Sequence, residues 1–500
     1  MQFGRIELFT DVSEVNQKNI IKVLRKAFSE HKNNVSMYDY LLDYEAGNQP
    51  LTREKKYRPD IDCCCVDNVA NEITEFNLGF KWGYPITLVQ RSKDDSKINA
   101  VAKLNDCYEL QNIKAKTQKL GRFVEICGVG YTYIDTIPRD EDCPFALETL
   151  DPRFTFVVRS NAYIDKRIVL GVTYRTTEGG NFFTCFTPTT RYEIKNVYEV
   201  VNGKPINTKG KWEEANRSGE KNPLGVVPII EWYRSYDRMG CFERQISEMD
   251  NLNLLISDFT NSVEHNINSV WHTNDVEFPT EVVVNEDGSK TEVTRKPKST
   301  EWVQTFTSQD GKTPFIKPLA LDFDYDGMLK NIITRRSLIL QKCNVPQRND
   351  NSGGSTGIAM SDATGWSSAE SAACKQQNIM ESCKMEEIKI VLKAIGLSVG
   401  ENELKSLNVS DIQPNIKRQK TYELTVKTNA ITTLLSHGFS LEDAITVAPL
   451  FEDPAQTMLR SGDGVKKYQE NQIFKSEKQG EKRPFADYSD QVENSPNING

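Results

Sequence analysis

The feature that most constrains this chain is a long amphipathic pattern that begins near residue 242. Apolar residues recur there at three- and four-residue steps over about thirty residues, which is the period of one helical face. A single helix of that length spans on the order of 45 Å. Because it carries one apolar stripe and asparagines elsewhere, we expect it to need neighbours along its whole span, which packing between subunits would supply. The stripe comprises Phe242, Ile246, Met249, Ile256, Phe259, Val263, Ile267 and Val270, and the asparagines are Asn251, Asn253, Asn261, Asn266 and Asn268.

A strand-rich module separates this helix from a second one. EVVV and TEVTR flank the turn NEDGSK, while WVQTF and FIKPL flank SQDGKT, so the sequence predicts two hairpins within residues 272–320. A second helical stripe begins at about Asp326, and we expect the two helices to run back alongside each other. That stripe comprises Leu329, Ile332, Ile333, Arg336, Ile339 and Cys343.

The rest of the chain alternates between helical and β-type patterns, which predicts a mixed α+β fold. Short β-type runs such as PITLV, FVEICGVGYTYID, FTFVV, RIVLGVTYRT and NFFTCFT fill residues 83 to 233. From about residue 463 onward the chain is polar and charged, and we predict disorder. We predict helices over residues 15–47, 67–79 and roughly 106–120, a loop over 344–366, a long helix from 367 or 368 to 396 or 400, and a helical unit over 419–460.

The charge of the chain limits how it can meet nucleic acid. Its formal net charge is −8 and its pI is near 5.4. Tight binding through a large basic face depends on displaced counterions, so we expect any DNA contact to be loose or local. No stretch approaches 18 consecutive apolar residues, and the N-terminus lacks a secretory signal pattern. We therefore expect a soluble, unexported protein with no membrane partner.

The carboxylates Asp322, Asp324 and Asp326, followed by Gly327, imitate the first half of a calcium loop. The twelfth position of such a loop should supply a bidentate carboxylate, but Ile333 stands there. We therefore predict no metal site.

Other motifs with chemical potential have simpler explanations. Gly311-Lys312-Thr313 resembles the end of a phosphate-binding loop, but Phe306 stands where its first glycine should be, so we predict a hairpin turn. Gly128 and Gly130 lie inside a strand pattern, which indicates a bulge or close packing. The four histidines have no metal-ligand spacing. We expect no catalytic residue and no cofactor.

Eleven cysteines are scattered without a C-x2-C pair, which indicates free thiols in a reducing compartment. The run Cys63-Cys64-Cys65 cannot easily close on one metal, because adjacent side chains point apart. We expect this run to be buried.

A modest basic cluster lies on and after the second long helix. Arg335, Arg336 and Lys342 precede Arg348. One interpretation is a solvated helix face or salt bridges between subunits. The other is that closed symmetry repeats each cation around an axis, so that a few per subunit form a ring that touches phosphates weakly.

Taken in order, six stretches resemble the portal family of siphovirus-like tailed phages, over most of residues 38 to 460. The long helix follows the last of them. The stretches are YDYLLDYEAGNQ (38–49), NEITEFNLGFKWGYPI (71–86), LETLDPRFTFVV (147–158), GVVPIIEWYRS (225–235), SDFTNSVEHNINSVW (257–271) and VPQRNDNSGGSTGIAM (345–360).

The resemblance implies a portal fold assembled as a ring, with a wing, a stem of two long helices, a clip built as a hairpin module and a helical crown. The segment before Tyr38 is longer than the resemblance explains, and residues 279–318 are more strand-rich than a minimal clip. The implied divisions are an N-terminal helical segment (1–37), wing (38–240), first stem helix (241–271), clip (272–322), second stem helix (323–343), tunnel loop (344–366), long wing helix (367–399), crown (400–462) and disordered tail (463–500).

The resemblance also implies a site and partners. The stem cations Arg335, Arg336 and Lys342 would line the ring, and the loop from Gln347 to Trp366 would project into the tunnel. Partners would be eleven further copies in a dodecamer, double-stranded DNA, the terminase large subunit, head-tail adaptor or connector proteins, and the major capsid and scaffolding proteins. The location would be the capsid vertex of the virion, and the host cytoplasm during assembly. The tunnel residues implied are Gln347, Arg348, Asn349, Asn351, Ser352, Gly353, Gly354, Ser355, Thr356 and Gly357.

Two alternatives stay open on the residues alone. A phage nucleic-acid-processing enzyme would use the carboxylates from Asp322 to Asp326 to bind a divalent metal for phosphoryl chemistry. A capsid or adaptor protein would form rings or shells without conducting DNA.

Overall fold

The computed structural model describes most of the chain between Gly4 and Val447. The residues that it describes are 4–51, 61–91, 96–137, 143–164, 166–178, 180–201, 204–214, 219–267, 271–274, 276–284, 288–295, 304–305, 315–318, 324–347, 365–399, 403–418 and 423–447.

Helices and strands both contribute to the described part, so the predicted mixed α+β class is confirmed. The helices are α1 (Ile20–Glu45), α2 (Val69–Trp82), α3 (Ser96–Leu110), α4 (Ile113–Cys127), α5 (Ile246–Ile267), α6 (Tyr325–Lys342), α7 (Trp366–Leu397), α8 (Glu423–Ser436) and α9 (Leu441–Val447). The strands of the first half are β1 (Leu8–Thr10), β2 (Thr87–Gln90), β3 (Val129–Asp135), β4 (Ala146–Leu150), β5 (Thr155–Ser160), β6 (Ile168–Thr177), β7 (Gly180–Phe186), β8 (Thr190–Val201), β9 (Lys204–Glu214), β10 (Glu220–Lys221) and β11 (Ile229–Tyr233). Those of the second half are β12 (Trp271–Asn274), β13 (Val276–Glu277), β14 (Thr280–Val284), β15 (Lys290–Thr294), β16 (Gln304–Thr305), β17 (Phe315–Pro318) and β18 (Ile412–Asn415).

The largest sheet carries the first helix on one face. Its strand order is β1-β5-β6-β7-β8-β10, with β9 paired to β8, and β1 joins β5 in parallel. The side chain of Phe28 on α1 packs edge-on against the rings of Tyr174 and Phe183. This contact holds the first half of α1 on the sheet through apolar burial.

A second sheet, with order β11-β3-β4, lies among α2, α4 and α7. Gly130 in β3 faces α4 closely, since a Cβ there would lie 2.8 Å from Leu120 Cδ1. The close packing predicted for Gly130 is therefore confirmed. Close packing is confirmed for Gly128 as well, since a Cβ there would clash with the backbone of Arg238. Gly128 lies before β3 and not inside a strand: with φ of 80° it ends α4, in a left-handed conformation that glycine adopts without strain.

The helix predicted over 106–120 is wrong in its extent, because two helices occupy residues 96–127. Asn112 separates them, with φ of 57°. The run Phe123–Cys127, predicted as a strand because of its apolar and β-branched residues, forms the last turns of α4. Val124 and Cys127 share a buried helical face with Leu120, so tertiary packing overrides the local β preference.

The module between α5 and α6 also pairs differently from the prediction. The first hairpin is confirmed, because β14 and β15 are antiparallel neighbours. The second hairpin is wrong: β16 pairs with β13, and β17 pairs with β12. The pair β14–β15 lies innermost in the chain order, followed by β13–β16 and then β12–β17. We call these three nested pairs, which lie between α5 and α6 in the chain, the ribbon. Alternation predicts that a run is a strand but not which strand it joins.

Candidate functional site

The pair of helices α5 and α6 is antiparallel. Near the end of α5, the ring of Phe259 meets the ring of Tyr325 edge-on, with 6.0 Å between centroids, and Tyr325 begins α6. Tyr325 also lies against Ser262 and Asn266. Farther along α6, Arg335 Nη1 lies 3.7 Å from Glu248 Oε2, near the start of α5. The prediction that the two helices run back alongside each other is therefore confirmed.

The first of these helices is shorter than predicted. A turn of 3-10 helix occupies Glu243–Gln245, and α5 runs for 22 residues, or roughly 33 Å. Its start is fixed by a buried ion pair, since Arg5 Nη2 lies 2.5 Å from Glu243 Oε2. The backbone amides of Gly4 and Gly240 also donate to the Glu243 carboxylate. The N-terminal segment thus anchors the base of α5.

A ladder of polar side chains on α5 holds an extended segment of the same chain. The amides of Cys63, Cys65 and Asp67 donate to Asn261 Oδ1, Ser257 Oγ and Asn253 Oδ1 at 2.8, 2.9 and 2.9 Å. Two residues of extended chain advance roughly 6.6 Å and four helical residues roughly 6 Å, so the periods match. Contacts within the chain therefore satisfy two asparagines that we had assigned to packing between subunits.

The same ladder explains the cysteine run. Cys63 and Cys65 face α5, where their Sγ atoms lie near Glu264 and Thr260, while Cys64 points away and is exposed. The expected burial is wrong, because the segment lies along the outside of α5. Adjacent side chains do point apart, as predicted.

Several apolar side chains of the helix pair and its ribbon are open to solvent in the single chain. On α6, Leu329 is 45% exposed and Ile333 55% exposed. In the β14–β15 hairpin, Val282, Val283, Val284 and Val293 are all exposed. Only part of the predicted α6 stripe is buried within the chain, namely Ile332, Ile339 and Cys343.

The three predicted stem cations on α6 have different surroundings. Arg336 Nε donates to Asp67 Oδ2 at 2.8 Å, and its Nη2 donates to Glu72 on α2. Burial alone would lower the pKa of Arg336, but these two carboxylates outweigh it and raise that pKa. Arg335 faces Glu248, as described above. Lys342 is exposed at the end of α6. Arg336 thus joins α6 to α2, while Lys342 is open to solvent.

The described residues on either side of the predicted tunnel loop lie close together. Ser368 Oγ donates to Asn344 Oδ1 at 2.7 Å, and a Cβ on Gly365 would lie 3.9 Å from Pro346 Cα. Gly365 has φ of 86° and begins α7 close to the predicted start. Gln347 is the last described residue before the loop. The other tunnel residues, Arg348, Asn349, Asn351, Ser352, Gly353, Gly354, Ser355, Thr356 and Gly357, lie outside the described residues, as do the turn at 311–313 and the tail from 463.

The aspartates before α6 have a structural role at one position. Asp324 is the N-cap of α6, where its Oδ1 accepts from the amide of Gly327 at 2.9 Å. Asp326 follows in the first turn, and Asp322 lies outside the described residues. Within the described ranges, no group of three or more histidine, cysteine or acidic side chains is placed to hold a metal ion. Nor is any helix there long and apolar enough to cross a membrane.

The residues that sequence reasoning missed are the polar ladder and the N-terminal anchor. Their signal is visible afterwards in the four-residue spacing of Asn253, Ser257 and Asn261, which places three short polar side chains on one face of α5. For Arg5 and Glu243, which are 238 residues apart, we find no signal in the sequence.

Comparison with known protein families gives a match that covers most of the chain. A family model described as "Phage portal protein, SPP1 Gp6-like" matches residues 24–483. A sequence search of the curated proteins finds no significant match.

Solved structures give weaker likenesses. A chain from the neck of an empty gene transfer agent particle, computed with C6 symmetry, is 11% identical with a TM-score of 0.38, and the alignment covers 77% of this chain and 90% of that one. A chain from the virion of a native gene transfer agent particle is 11% identical with a TM-score of 0.39, and the coverages are 83% and 93%. Likenesses at this level define neither the fold nor the function of this chain.

Proposed function

Because the chain belongs to the phage portal protein family, SPP1 Gp6-like, we propose that α5 and α6 form the stem of a twelve-subunit ring through which double-stranded DNA passes. Membership of this family confirms the resemblance predicted from the sequence. As a portal protein, the chain functions at a capsid vertex, in a family that is structural rather than enzymatic.

The observation that carries the proposal is the exposed apolar surface of the stem. Leu329 and Ile333 lie one turn apart on α6 and remain largely open to solvent in the single chain. Soluble proteins seldom leave a contiguous apolar patch uncovered unless it meets a partner. Closed symmetry would repeat the same contact around an axis and leave no patch open.

The remaining divisions follow from this stem. In this proposal residues 38–240 and α7 form the wing, residues 272–322 form the clip, and residues 400–462 form the crown. The nested ribbon β12–β17 extends from the far end of the stem, so it is the part that meets the terminase large subunit during packaging and head-tail adaptor proteins afterwards. The wing faces the major capsid and scaffolding proteins.

The charge distribution suits a conduit. A duplex that must slide should not be held by many phosphate contacts, because each released counterion strengthens binding. Arg335 and Arg336 face carboxylates of their own chain, so Lys342 and the loop after Gln347 are the parts of the α6 end that would meet DNA. Twelve copies of Lys342 would make a weak ring of positive charge.

Electron microscopy of the purified chain tests the proposed stem. We expect wild-type rings with a central hole wide enough for duplex DNA, and loss of rings in the double variant Leu329→Asp, Ile333→Asp, because burying two carboxylates between subunits is costly. Thr334→Asp is the matched control, since Thr334 is exposed on the same helix and its hydroxyl donates to the carbonyl oxygen of Lys330 within α6. Rings in the double variant that match those of the wild type would contradict this placement of α6.

A further inference from the structure

A groove with a basic rim lies between the large sheet and α7. Its volume is about 840 Å³. Its apolar floor includes Ile168, Val226, Val227, Ile390 and Leu407. An apolar floor of this size suits the side chains of a peptide segment rather than a single ion.

The rim of the groove is positively charged. Lys389 and Lys393 project from successive turns of α7, and both are exposed. Lys166 and Arg167 lie on the opposite side, before β6. The acidic side chain Glu386 also lines the groove. Neither Lys389 nor Lys393 makes an ion pair with a described residue, so this local charge is unusual in a chain with a net charge of −8.

The sequence contains a segment of complementary character. Residues 484–500 carry Asp487, Asp490 and Glu493 and no lysine or arginine, together with the apolar side chains Phe485 and Tyr488. The stretch just before it, residues 461–483, has six basic and four acidic residues, so the sign of the charge changes near residue 484. The family match ends at residue 483. The acidic segment therefore lies outside the matched residues.

We propose that residues 484–500 dock in this groove as an acidic latch, with their carboxylates on the lysines of the rim and their aromatic side chains on the floor. Because the segment belongs to the same chain as the groove, its effective concentration there would be set by the residues that tether it. The lysines of the rim would repel the basic stretch 461–483. The groove should therefore bind residues 484–500 in preference to that stretch.

Peptide binding tests the latch directly. A fluorescently labelled peptide of residues 484–500 is titrated with a chain that ends at residue 483, and anisotropy is measured. We expect saturable binding that weakens as salt rises, because exposed charges are screened. The double variant Lys389→Glu, Lys393→Glu should bind about tenfold more weakly, since attraction becomes repulsion at two sites.

Two controls keep the outcome specific. Lys375→Glu changes an exposed lysine on the same helix, away from the groove, and should bind like the wild type. A peptide with Asp487→Asn, Asp490→Asn and Glu493→Gln should bind as weakly as the wild-type peptide does to the Lys389, Lys393 variant. Circular dichroism establishes that each variant is folded.

Carbodiimide cross-linking of the full chain provides a second measurement. We expect Asp490 or Glu493 to be joined to Lys389 or Lys393, and a mixture of isotope-labelled and unlabelled chains assigns the segment to the same copy or a neighbouring one. Absence of peptide binding to a folded chain, or binding that the Lys375 control weakens as much as the groove variant does, would overturn the latch.

Discussion

At the residue scale, the central fact is a buried carboxylate that joins three elements. Glu125 on α4 accepts from Trp82 Nε1 at 3.0 Å, from Gln376 Nε2 at 2.6 Å and from Arg234 Nε at 3.0 Å. Lys81 Nζ lies 3.8 Å from the same carboxylate and donates to Gln376 Oε1 at 2.7 Å. Burial would raise the pKa of Glu125, but Lys81 and Arg234 hold it below its usual value. The network ties α2, α4 and α7 together.

Lys81 makes the stability of this network depend on pH. Burial lowers its pKa to about 8, although Glu125 opposes the shift, whereas an unfolded lysine titrates near 10.5. Between these values the unfolded chain binds more protons, so the stabilising contribution of Lys81 grows as pH rises from about 8 towards 10.5. We expect the free energy of unfolding of the wild type, minus that of Lys81→Met, to increase across this range by up to about 3 kcal/mol.

Denaturant unfolding at matched protein concentration, from pH 7 to 10, measures this difference. Lys375→Met is the control, because Lys375 is exposed on α7 and should give a difference that does not change with pH. A flat difference for Lys81→Met as well would mean that Lys81 stays charged throughout.

At the scale of elements, the polar ladder on α5 fixes the extended segment before α2. Asn261 both accepts from the amide of Cys63 and donates to its carbonyl oxygen, so Asn261→Leu removes two hydrogen bonds. We expect a loss of about 1–3 kcal/mol in the free energy of unfolding. The amides of Cys63 and Cys65 should also exchange hydrogen faster.

Ser262→Ala is the matched control for the ladder. Ser262 is half-buried on the same helix, and its hydroxyl donates to the carbonyl oxygen of Asp258 within α5. Hydrogen exchange read by mass spectrometry separates the two variants. Equal protection of residues 63–67 in both would show that the ladder contributes little.

The helical elements were predictable where one apolar period runs without interruption. The start of α7 lies within two residues of its predicted position, and α1 occupies most of residues 15–47, because its buried residues Ile20, Leu24 and Phe28 repeat at helical spacing. The break at Asn112 and the pairing of β16 with β13 were not predictable. The strand pairing depends on contacts between residues far apart in sequence, and the break is a single left-handed residue between two helices, so a local period records neither.

At the scale of the whole molecule, the connection between α6 and α7 is the segment proposed to enter the tunnel. Deleting Asn351 to Gly357 should leave ring assembly intact, because the ends of the connection are held by Asn344, Gly365 and Ser368. We expect DNA packaging or retention to fall, measured as the fraction of particles that contain protected DNA.

A deletion of the same length in the C-terminal region, residues 463–469, controls for the loss of seven residues. Normal packaging and retention by the Asn351 to Gly357 variant would remove the proposed role of this connection. Loss of rings in that variant would instead give the connection a part in assembly.

The candidate site was predictable only in outline. The two helical stripes predicted that α5 and α6 lie side by side, but the sequence alone could not show that Arg336 pairs with Asp67 before α2 and with Glu72 in α2. Whether a cation on a helix faces solvent or a carboxylate depends on what packs beside that helix. Spacing along one element carries no such information.

The closeness of Pro346 and Gly365 affects which sequence changes the connection between α6 and α7 can tolerate. Because its two ends lie side by side, the connection between α6 and α7 needs no fixed length. Residues can therefore be inserted, deleted or substituted there while α6 and α7 keep their positions. Variation in the segment proposed to contact DNA is therefore uncoupled from the stability of α6 and α7.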